Sequence, residues 1–363
     1  MDRFTGDERA CLLLTAVDAL GIKKRHTLLS LFSEPQDIFV EYEHKKDEII
    51  SLCKEDYYQK LCKAIEFDAV DELICACDKK GIVPITYYSD SYPSNLMNIY
   101  DPPLVLFCKG NTQLLNSPVA IGVVGSRKCS RYGLDVANCF GKDLAENGVT
   151  VVSGMARGID GSAHRGALSA DGNTIAVLAS GVDVIYPADH KDLYRDIVEK
   201  GLVISEYLPG ESPLSYRFPE RNRIISGISN GLLVVEAGEK SGALITLDEA
   251  IEQGREIFIV PSNVNSYTAK GSNERLRAMP NALTLDANDI LLRFGKRKQE
   301  KVVDSLQLDF VEENIISLLQ TGERHFDELL ELTELPPSEL GSLLSRMEVC
   351  GLIKDLGGNY YGL

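Results

Sequence analysis

The chain has 363 residues, of which 44% are hydrophobic and 25% charged, and its formal net charge is −16. These values are ordinary for a globular protein of two or three domains, and no apolar run approaches the ~18 residues needed to cross a bilayer. Because the start lacks the basic-then-apolar order of a signal peptide and the nine cysteines contain no C-x-x-C pair, we expect a cytoplasmic protein with no membrane partner, metal site or bound cofactor.

The negative charge is unevenly distributed along the chain. Residues 1–80 carry a net charge of −5, residues 111–298 carry −1, and residues 299–363 carry −9. Local charge, rather than the total, governs contact with phosphates. The nearly neutral central region can therefore bind a polyanion, whereas we expect the acidic tail to be repelled by DNA.

Residues 1–80 show helical spacing of apolar side chains and no convincing strand. This pattern predicts a small helical domain of the helix-hairpin-helix or SAM-like kind. One interpretation is a packing module with a solvated basic corner. The other is weak contact with a DNA backbone through Lys23, Lys24 and Arg25.

Residues 81–295 are predicted to form one α/β domain with a Rossmann-like parallel sheet. Residues 81–118 are rich in Pro and Tyr, which indicates an extended connection with one short strand at 104–107. Strand-like runs follow at 119–124, 149–152, 174–178, 202–204, 232–235 and 256–260, and they alternate with helical stretches at 132–147, 160–170, 189–200, 220–228 and 243–254. Apolar strands separated by helices favour a parallel sheet covered on both faces, whose ligands bind beyond the carboxyl ends of the strands.

The C-terminal region is predicted to be a separate domain. Residues 296–308 are polar and are interpreted as a linker, and residues 309–363 contain three helix-sized segments and a terminal hairpin with a Gly-Asn turn. Three helices followed by a hairpin are typical of a winged-helix domain. Such domains usually bind DNA, but the charge of −9 favours protein interaction or structural support here.

The first of four glycine-rich turns follows the predicted strand that ends at Val124. Gly125 allows close approach of a ligand to backbone N–H groups, Ser126 can cap a helix or donate to an oxyanion, and Arg127 can form a fork onto phosphate, with Lys128 beside it. A tight structural turn with a solvated arginine would show the same residues.

In the second turn, Gly154 and Gly158 flank Arg157. Asp160 is predicted to be the N-cap of the next helix rather than a catalytic base. His164 is expected to pack inside the fold, because no Ser or Cys elbow nearby suggests a catalytic triad.

The third motif, at residues 217–223, combines an aromatic ring with cations and an amide. Phe218 stands beside Arg217, Arg221 and Arg223, a combination that suits a stacked base with clamped phosphates, and Asn222 lies between the last two arginines. The alternative places Phe218 in the core and the arginines on the surface.

The fourth motif contains Lys240, Ser241 and Gly242 between a strand and its helix, and repeats the phosphate-binding pattern at the neighbouring strand end. Glu206 and Glu236, both at strand ends, could be acids or bases. Since no metal ligands or partner nucleophile are in view, we interpret them as orienting the arginines and the glycine turns.

The four motifs together resemble the DprA/Smf family, the DNA-processing protein A of bacterial transformation. The matching stretches are Gly-Ser-Arg at 125–127, Ser-Gly-Met-Ala-Arg-Gly-Ile-Asp at 153–160, Phe-Pro-Glu-Arg-Asn-Arg at 218–223 and Ser-Gly-Ala-Leu-Ile-Thr at 241–246, within residues 80–295. The resemblance implies an extended Rossmann core in a homodimer that binds incoming single-stranded DNA and helps to load the recombinase RecA onto it.

The resemblance also implies which side chains contact the DNA: Arg127, Phe218, Arg221 and Arg223. One departure lies at residues 279–282, Met-Pro-Asn-Ala, where the family more often has a Gly-Ala pair. It puts in doubt only the local turn near the expected dimer edge.

Two enzymatic alternatives are weaker than a non-enzymatic binder. A Rossmann-type nucleoside monophosphate phosphoribohydrolase would carry a Pro-Gly-Gly-x-Gly-Thr turn, but Glu-Ala-Gly-Glu-Lys stands at residues 236–240 and no paired Arg/Glu catalytic set follows. A dinucleotide-dependent oxidoreductase would need the G-x-G-x-x-G fingerprint, which the first turn lacks.

Self-association is predicted at residues 282–293. Leu283, Leu285, Ile290 and Leu291 make this segment more apolar than a terminal strand and short helix need for packing on one sheet edge. A two-fold partner would cover such an edge, and the resemblance points the same way. The alternative is that the N-terminal helices cover it.

Overall fold

The computed structural model describes residues 3–17, 20–297, 310–349 and 352–363. The chain divides into two compact units, Met1–Lys298 and Gln299–Leu363. The predicted linker at 296–308 lies outside the described residues from position 298 onward. None of the described helices has the length and apolarity needed to cross a membrane.

The described part of the N-terminal segment is mainly helical and shares a core with the sheet that follows it. Its helices are α1 (Gly6–Ala16), α2 (Ile22–Leu29), α3 (Ile38–Glu41), α4 (Lys46–Cys53), α5 (Glu55–Glu66) and α6 (Ala69–Lys79). A capping box starts α1: Thr5 Oγ1 accepts from the N–H of Glu8 (3.3 Å), and the Glu8 carboxylate accepts from the N–H of Thr5 (2.7 Å). Leu13 of α1 belongs to the same apolar cluster as Phe107 and Val203 of the sheet.

The central sheet has eight strands in the order β1-β2-β6-β5-β4-β3-β7-β8. They are β1 (Val83–Thr86), β2 (Val105–Gly110), β3 (Ala120–Val124), β4 (Thr150–Ser153), β5 (Thr174–Val177), β6 (Leu202–Ser205), β7 (Gly231–Val234) and β8 (Glu256–Ile259). The predicted parallel sheet is confirmed for β3 to β8, while β2 pairs antiparallel with β6 and β1 with β2.

Helices cover both faces of this sheet, as predicted. They are α7 (Ser94–Met97), α8 (Arg131–Glu146), α9 (Ile159–Ser169), α10 (Lys191–Lys200), α11 (Arg217–Ile228), α12 (Gly242–Glu252), α13 (Lys270–Ala278) and α14 (Ala287–Arg293). Glycines bring α8 and α9 together: a Cβ on Gly141 would lie 2.3 Å from the Ala163 carbonyl oxygen, and one on Gly166 would lie 2.1 Å from that of Asn138. This close packing fixes the start of both helices at the same sheet edge.

The strand predicted after residue 282 is not formed. Only a single parallel bridge forms, between Ile259 and Leu283. Leu283 follows the short 3₁₀ turn Pro280–Ala282 and precedes α14. The chain turns into a helix there because Asp286 is its N-cap and accepts from the N–H of Asn288 (2.8 Å) and of Asp289 (3.2 Å).

The second unit has the predicted winged-helix fold. Its elements are α15 (Phe310–Gln320), β9 (Arg324–His325), α16 (Phe326–Thr333), α17 (Pro337–Val349), β10 (Lys354–Gly357) and β11 (Tyr360–Gly362). The strands pair in the order β10-β11-β9, and Ile315, Leu329 and Leu344 lie in a small apolar core. Asn359, with φ of 62°, occupies the left-handed region at the hairpin turn.

Candidate nucleic-acid interface

The carboxyl ends of β3, β4 and β7 open into a cleft of about 690 Å³. Residues from all four glycine and arginine motifs line it, among them Arg127, Ala156, Phe218 and Lys240. The three strands are neighbours in the sheet, so the turns that follow them meet at one edge. The structure therefore brings together motifs that are more than 100 residues apart in the chain.

The first turn is held to the end of β7 by Glu236. The backbone N–H of Ser126 donates to the Glu236 carbonyl (2.7 Å), and the buried Glu236 carboxylate accepts from the N–H (3.0 Å) and Oγ (2.5 Å) of Ser130. Ser126 Oγ accepts from the N–H of Lys128 (3.1 Å) and keeps its proton for a ligand. Glu236 thus orients the turn, as the sequence suggested.

Two glycines let the first and second turns touch. Gly158 has φ of 80°, and a Cβ there would lie 2.4 Å from the Ser126 carbonyl oxygen. A Cβ on Gly125 would lie 2.4 Å from Ile159 Cγ1 and 2.9 Å from the Glu236 carbonyl oxygen. Any other residue at either position would push the turns apart.

The structure corrects the predicted role of Asp160. Gly158 is the N-cap of α9, and Asp160 is the second residue of that helix. Its carboxylate instead accepts from the N–H groups of Gly154 (3.2 Å) and Ala156 (3.4 Å), and so closes the preceding turn. Burial raises the pKa of Asp160, an effect that nearby Arg221 and these two N–H groups oppose.

His164 has the structural role predicted for it. It is fully buried, with Nδ1 2.7 Å from Thr174 Oγ1. Burial lowers the pKa of His164 to about 3, so the ring is neutral at physiological pH.

Phe218 lies on the wall of the cleft, half-buried, rather than in the core. The exposed Arg127 places its guanidinium carbon 4.6 Å from the Phe218 ring centroid. The Tyr186 ring lies 5.5 Å away on a tilted plane. An aromatic ring and an exposed cation therefore face the same space, a combination that takes both a base and a phosphate.

Arg221 forms the floor of the cleft. It is 3% exposed, and Nη1 donates to the carbonyl oxygens of Gly154 (2.8 Å) and Val177, while Nε donates to Asn222 Oδ1 (3.2 Å). Burial lowers the pKa of Arg221 to about 10, which still leaves it charged at neutral pH. A Cβ on Gly154 would lie 2.2 Å from this guanidinium, which explains the glycine. Arg221 thus ties the end of β5 to the turn after β4.

Arg223, predicted to contact DNA, lies outside the cleft. It is 8% exposed, and Nη2 donates to the buried Glu206 carboxylate at 2.6 Å. Its groove adjoins the cleft through Pro219 and Ile245. Three cations (Lys24, Lys54, Arg223) and three acids (Asp101, Glu220, Glu249) line that groove, which balances its charge. Lys24 is thus not part of a basic patch there.

The remaining predicted cations divide between the cleft and its surroundings. Lys128 and Lys240 are exposed and line the cleft. Arg157 lies outside the cleft lining, where Nε (3.0 Å) and Nη2 (2.5 Å) contact the Asp189 carboxylate. Arg217 packs its guanidinium 4.4 Å from the Tyr207 ring centroid and pairs with Glu211.

The fourth motif presents a helix N-terminus to the cleft. Ser241 is the N-cap of α12, and its Oγ accepts from the N–H of Ala243 (3.3 Å). Gly242 is the first residue of that 11-residue helix, and the Asn222 side chain donates to its carbonyl oxygen (3.5 Å). The N–H groups of a first helical turn favour an anion, so α12 adds to the attraction of Lys240 for phosphate.

Sequence reasoning missed Tyr267 and Thr268, which also line the cleft. Tyr267 is 80% exposed and begins the short 3₁₀ turn Tyr267–Ala269. Its segment has no periodicity, so only its position after the strand ending at Ile259 could have indicated a place at this edge.

The acidic side chains that line the cleft already have partners within the fold. Within the described ranges, no group of three or more His, Cys, Asp and Glu side chains could hold a metal ion. The carboxylates that line the cleft belong to Asp160, which accepts two backbone N–H groups, and Glu239, which pairs with Lys270 at 2.8 Å.

The predicted dimer segment splits into exposed and buried halves. Leu283 and Leu285 are 48% and 69% exposed, and Leu292 is 52% exposed. Ile290 and Leu291 belong to the core cluster under α14, so they cannot be contact residues of a surface patch. The N-terminal helices pack at the β2–β6 end of the sheet, whereas Leu283 adjoins β8 at the other end. They therefore leave this patch uncovered.

Two family models match this chain. That of DNA recombination-mediator protein A matches residues 84–295, and that of the DprA winged helix domain matches residues 300–359. The DNA processing protein DprA of Bacillus subtilis is 42% identical over 217 residues, which are 60% of this chain and 70% of that protein. DprA of Streptococcus pneumoniae is 43% identical over 205 residues, or 56% and 72% of the two chains.

Two solved structures share the fold. The X-ray structure of DNA processing protein A from Streptococcus pneumoniae superposes with a TM-score of 0.66 at 32% identity, and covers 81% of this chain and 99% of that one. A structure of DNA processing protein A from Helicobacter pylori, which concerns the single-stranded DNA binding mode of that protein, superposes with a TM-score of 0.50 at 29% identity, covering 54% of this chain and 87% of that one.

Proposed function

The chain belongs to the DprA/Smf family of DNA processing proteins, and on that premise we propose that it binds single-stranded DNA and acts as a recombination mediator. The observation that carries this proposal is the pairing of Arg127 with Phe218 at the mouth of the cleft, 4.6 Å apart. The cation can bind phosphate, and the ring can stack on a base. The relative from Helicobacter pylori, whose structure concerns single-stranded DNA binding, supports the same ligand.

The geometry favours an unpaired strand over a duplex. Stacking on Phe218 needs a base whose face is free, which a base inside a duplex does not offer. The exposed cations that line the cleft (Arg127, Lys128, Lys240) and the N-terminus of α12 lie around that ring and suit the flanking phosphates. Neither stacking nor phosphate contact distinguishes one base from another, so binding is expected to be insensitive to sequence.

We infer that the protein holds the strand and does not cut it. The cleft carboxylates already accept backbone N–H groups or pair with a lysine, and the buried His164 lies outside the cleft lining. A nucleotide hydrolase would need a carboxylate free to act as a base on its substrate.

We further propose that the protein works in the cytoplasm as a homodimer that protects incoming DNA during natural transformation and loads RecA onto it. The exposed leucines Leu283, Leu285 and Leu292 support the homodimer, since an apolar patch of this kind is stable when a two-fold copy covers it. Two clefts in one particle would hold two stretches of one strand. The family membership supports the role in recombination.

The DNA-binding proposal is tested by titrating an oligothymidine and a blunt duplex of equal length with the protein at several salt concentrations. We expect tighter binding to the single strand. About three to four phosphates neutralised should give a slope of roughly −2 to −3 in log affinity against log salt. A flat salt response, or a preference for duplex, would contradict it. Incubation with AMP in the same buffer should give no hydrolysis, and release of adenine would favour the enzyme instead.

The mediator proposal is tested separately with RecA and a strand already covered by a single-strand-binding protein. We expect the protein to shorten the lag before RecA filaments form, and the Arg127→Ala variant to do so poorly. Equal lags with and without the protein would leave a DNA-binding protein that does not load RecA.

A further inference from the structure

A second groove is lined by residues that are close in the chain to those of the cleft. It has a volume of about 690 Å³ and is lined by residues of α8 and of the loop after β8: Ser130, Tyr132, Pro261, Ser262, Asn263, Asn265 and Ser266. Ser130 lies two residues beyond Lys128 of the cleft, and Ser266 directly precedes Tyr267, which lines the cleft. One strand could therefore pass from the cleft into the groove without leaving the surface.

The chemistry of the groove differs from that of the cleft. The described residues that line it include amides, hydroxyls and an aromatic ring but no Asp, Glu, Lys or Arg. Uncharged donors and acceptors suit base edges and sugars, whereas the glycine turns and cations of the cleft suit phosphates.

Hydrogen bonds hold the groove in place from both sides. Tyr132 donates its hydroxyl to the Pro261 carbonyl (3.1 Å). On the other side, Asn273 of α13 donates to the Ser262 carbonyl (3.1 Å) and accepts from the Ser262 N–H (3.2 Å). The loop is thus a formed surface, and ordering it on binding costs little.

Tyr267 stands between the groove and the cleft with its side chain in solvent. It is 80% exposed, although an aromatic ring gains free energy from burial. Its backbone lies beside the fourth motif, since a Cβ on Gly238 would lie 3.4 Å from the Tyr267 carbonyl oxygen. Because Tyr267 and Phe218 both line the cleft, the exposed Tyr267 ring offers a second stacking surface in addition to Phe218.

We propose a second base-binding subsite where the cleft lining meets this groove. There Tyr267, which lines the cleft, stacks on a base of the same strand beyond the one at Phe218, and the groove takes the sugar and base that follow. The inference rests on the proposed function, because it needs a strand in the cleft. It predicts that affinity increases when an oligonucleotide becomes long enough to reach Tyr267.

The test compares the full-length parent with Tyr267→Ala, Tyr267→Phe and Arg127→Ala on oligothymidines of increasing length. Val264→Ala is the matched control, since Val264 lies in the same loop and is 88% exposed, but lines neither the cleft nor the groove. Tyr267→Ala should weaken binding of long oligomers by about fivefold or more, and leave the shortest bound oligomer and the salt slope unchanged. Tyr267→Phe and Val264→Ala should bind like the parent.

The outcomes separate this inference from the proposed function. If the parent fails to bind any oligothymidine, the proposed function fails. If Arg127→Ala weakens binding but Tyr267→Ala matches the parent at every length, the second subsite alone is overturned. If Tyr267→Ala changes the mass of the particle and not its DNA affinity, the ring is a contact between copies of the chain, which also overturns the subsite.

Photocrosslinking locates the contact independently of affinity. A single 5-iododeoxyuridine is moved along an oligothymidine, and the crosslinked tryptic peptides are identified. Tyr267 lies in the peptide at 256–270 and Phe218 in the peptide at 218–221. We expect the two peptides to crosslink at different positions of the strand. Crosslinks at 218–221 with none at 256–270 would contradict the subsite.

Discussion

At the level of single residues, the three arginines that the family resemblance implied as DNA contacts divide into one that is exposed and two that are buried. Arg127 is exposed and touches Phe218, whereas Arg221 and Arg223 are 3% and 8% exposed and bind carbonyl or carboxylate oxygens of the fold. Losing Arg221 would leave the Gly154 carbonyl oxygen without this bond, so a binding defect in that variant would not by itself identify a DNA contact.

Arg127→Ala is predicted to weaken single-strand binding by about tenfold or more, because a charge-assisted contact with phosphate is worth roughly 1.5–3 kcal/mol. Arg127→Lys should recover part of this loss, since a point charge replaces a two-pronged donor. Thermal unfolding should be unchanged, because the side chain is exposed. If Arg127→Ala binds single-stranded DNA as tightly as the parent, Arg127 does not contribute to binding.

His164 is predicted to make folding stability dependent on pH. Its pKa is lowered from an ordinary 6.5 to about 3 by burial, so the unfolded chain takes up a proton that the folded chain refuses. The stability that the neutral ring contributes is fully present above pH 6.5 and is lost as the pH falls toward 3. The free energy of unfolding should decrease by about 2 kcal/mol between pH 7 and pH 5. Urea unfolding of the parent and of His164→Gln at both pH values isolates it. Equal pH dependence in the two proteins would show that His164 does not titrate in this way.

At the level of elements, the turns between strands and helices carry the site, and Gly158 combines a positive φ with a close backbone approach. Gly158→Ala is predicted to destabilise the protein by about 2 kcal/mol or more and to reduce DNA binding, because it combines φ of 80° with a clash at the Ser126 carbonyl oxygen. Gly254→Ala is the control: φ there is 67°, but nothing lies within 4 Å of the added Cβ, so about 1 kcal/mol is expected. Similar unfolding midpoints for the two variants would show that the close approach to the Ser126 carbonyl oxygen adds nothing to the destabilisation.

The sequence predicted elements better than side-chain environments. The alternation of apolar runs with helical spacing located the strands β3 to β8 and their helices, because each pattern reflects burial on both faces of the sheet. β1 was missed, since Pro84 interrupts the strand pattern at this edge of the sheet.

Burial of charged and apolar side chains was harder to predict. Arg127 and Arg223 look alike in sequence, yet Arg223 is buried because Glu206, which directly follows β6, accepts its hydrogen bond. In the same way, Ile290 faces the core and Leu285 faces solvent because Asp286 starts α14 between them. Only tertiary contacts decide such cases.

At the level of the whole molecule, the uncovered leucines predict a dimer. Light scattering at micromolar concentration should give twice the chain mass of 40.0 kDa. Leu285→Glu should give a folded monomer, since a charge at a residue 69% exposed disturbs a contact and not the core. Val40→Glu, at a residue 78% exposed on α3, should leave the mass unchanged. A parent mass near 40.0 kDa would contradict the dimer.

In the unbound protein, Arg127 and Phe218 contact each other, and we call this contact the latch. A strand that stacks on the ring and binds the cation has to open this contact, which is worth about 0.5–1 kcal/mol at an exposed position. Each single alanine variant loses one interaction with DNA, but it no longer has to break the contact between Arg127 and Phe218 on binding. Its net loss of affinity is therefore smaller than the lost interaction alone. A double-mutant cycle should therefore show the pair losing more affinity than the two single losses combined, by about the strength of the latch. Strict additivity would mean that the ring and the cation separate before DNA arrives.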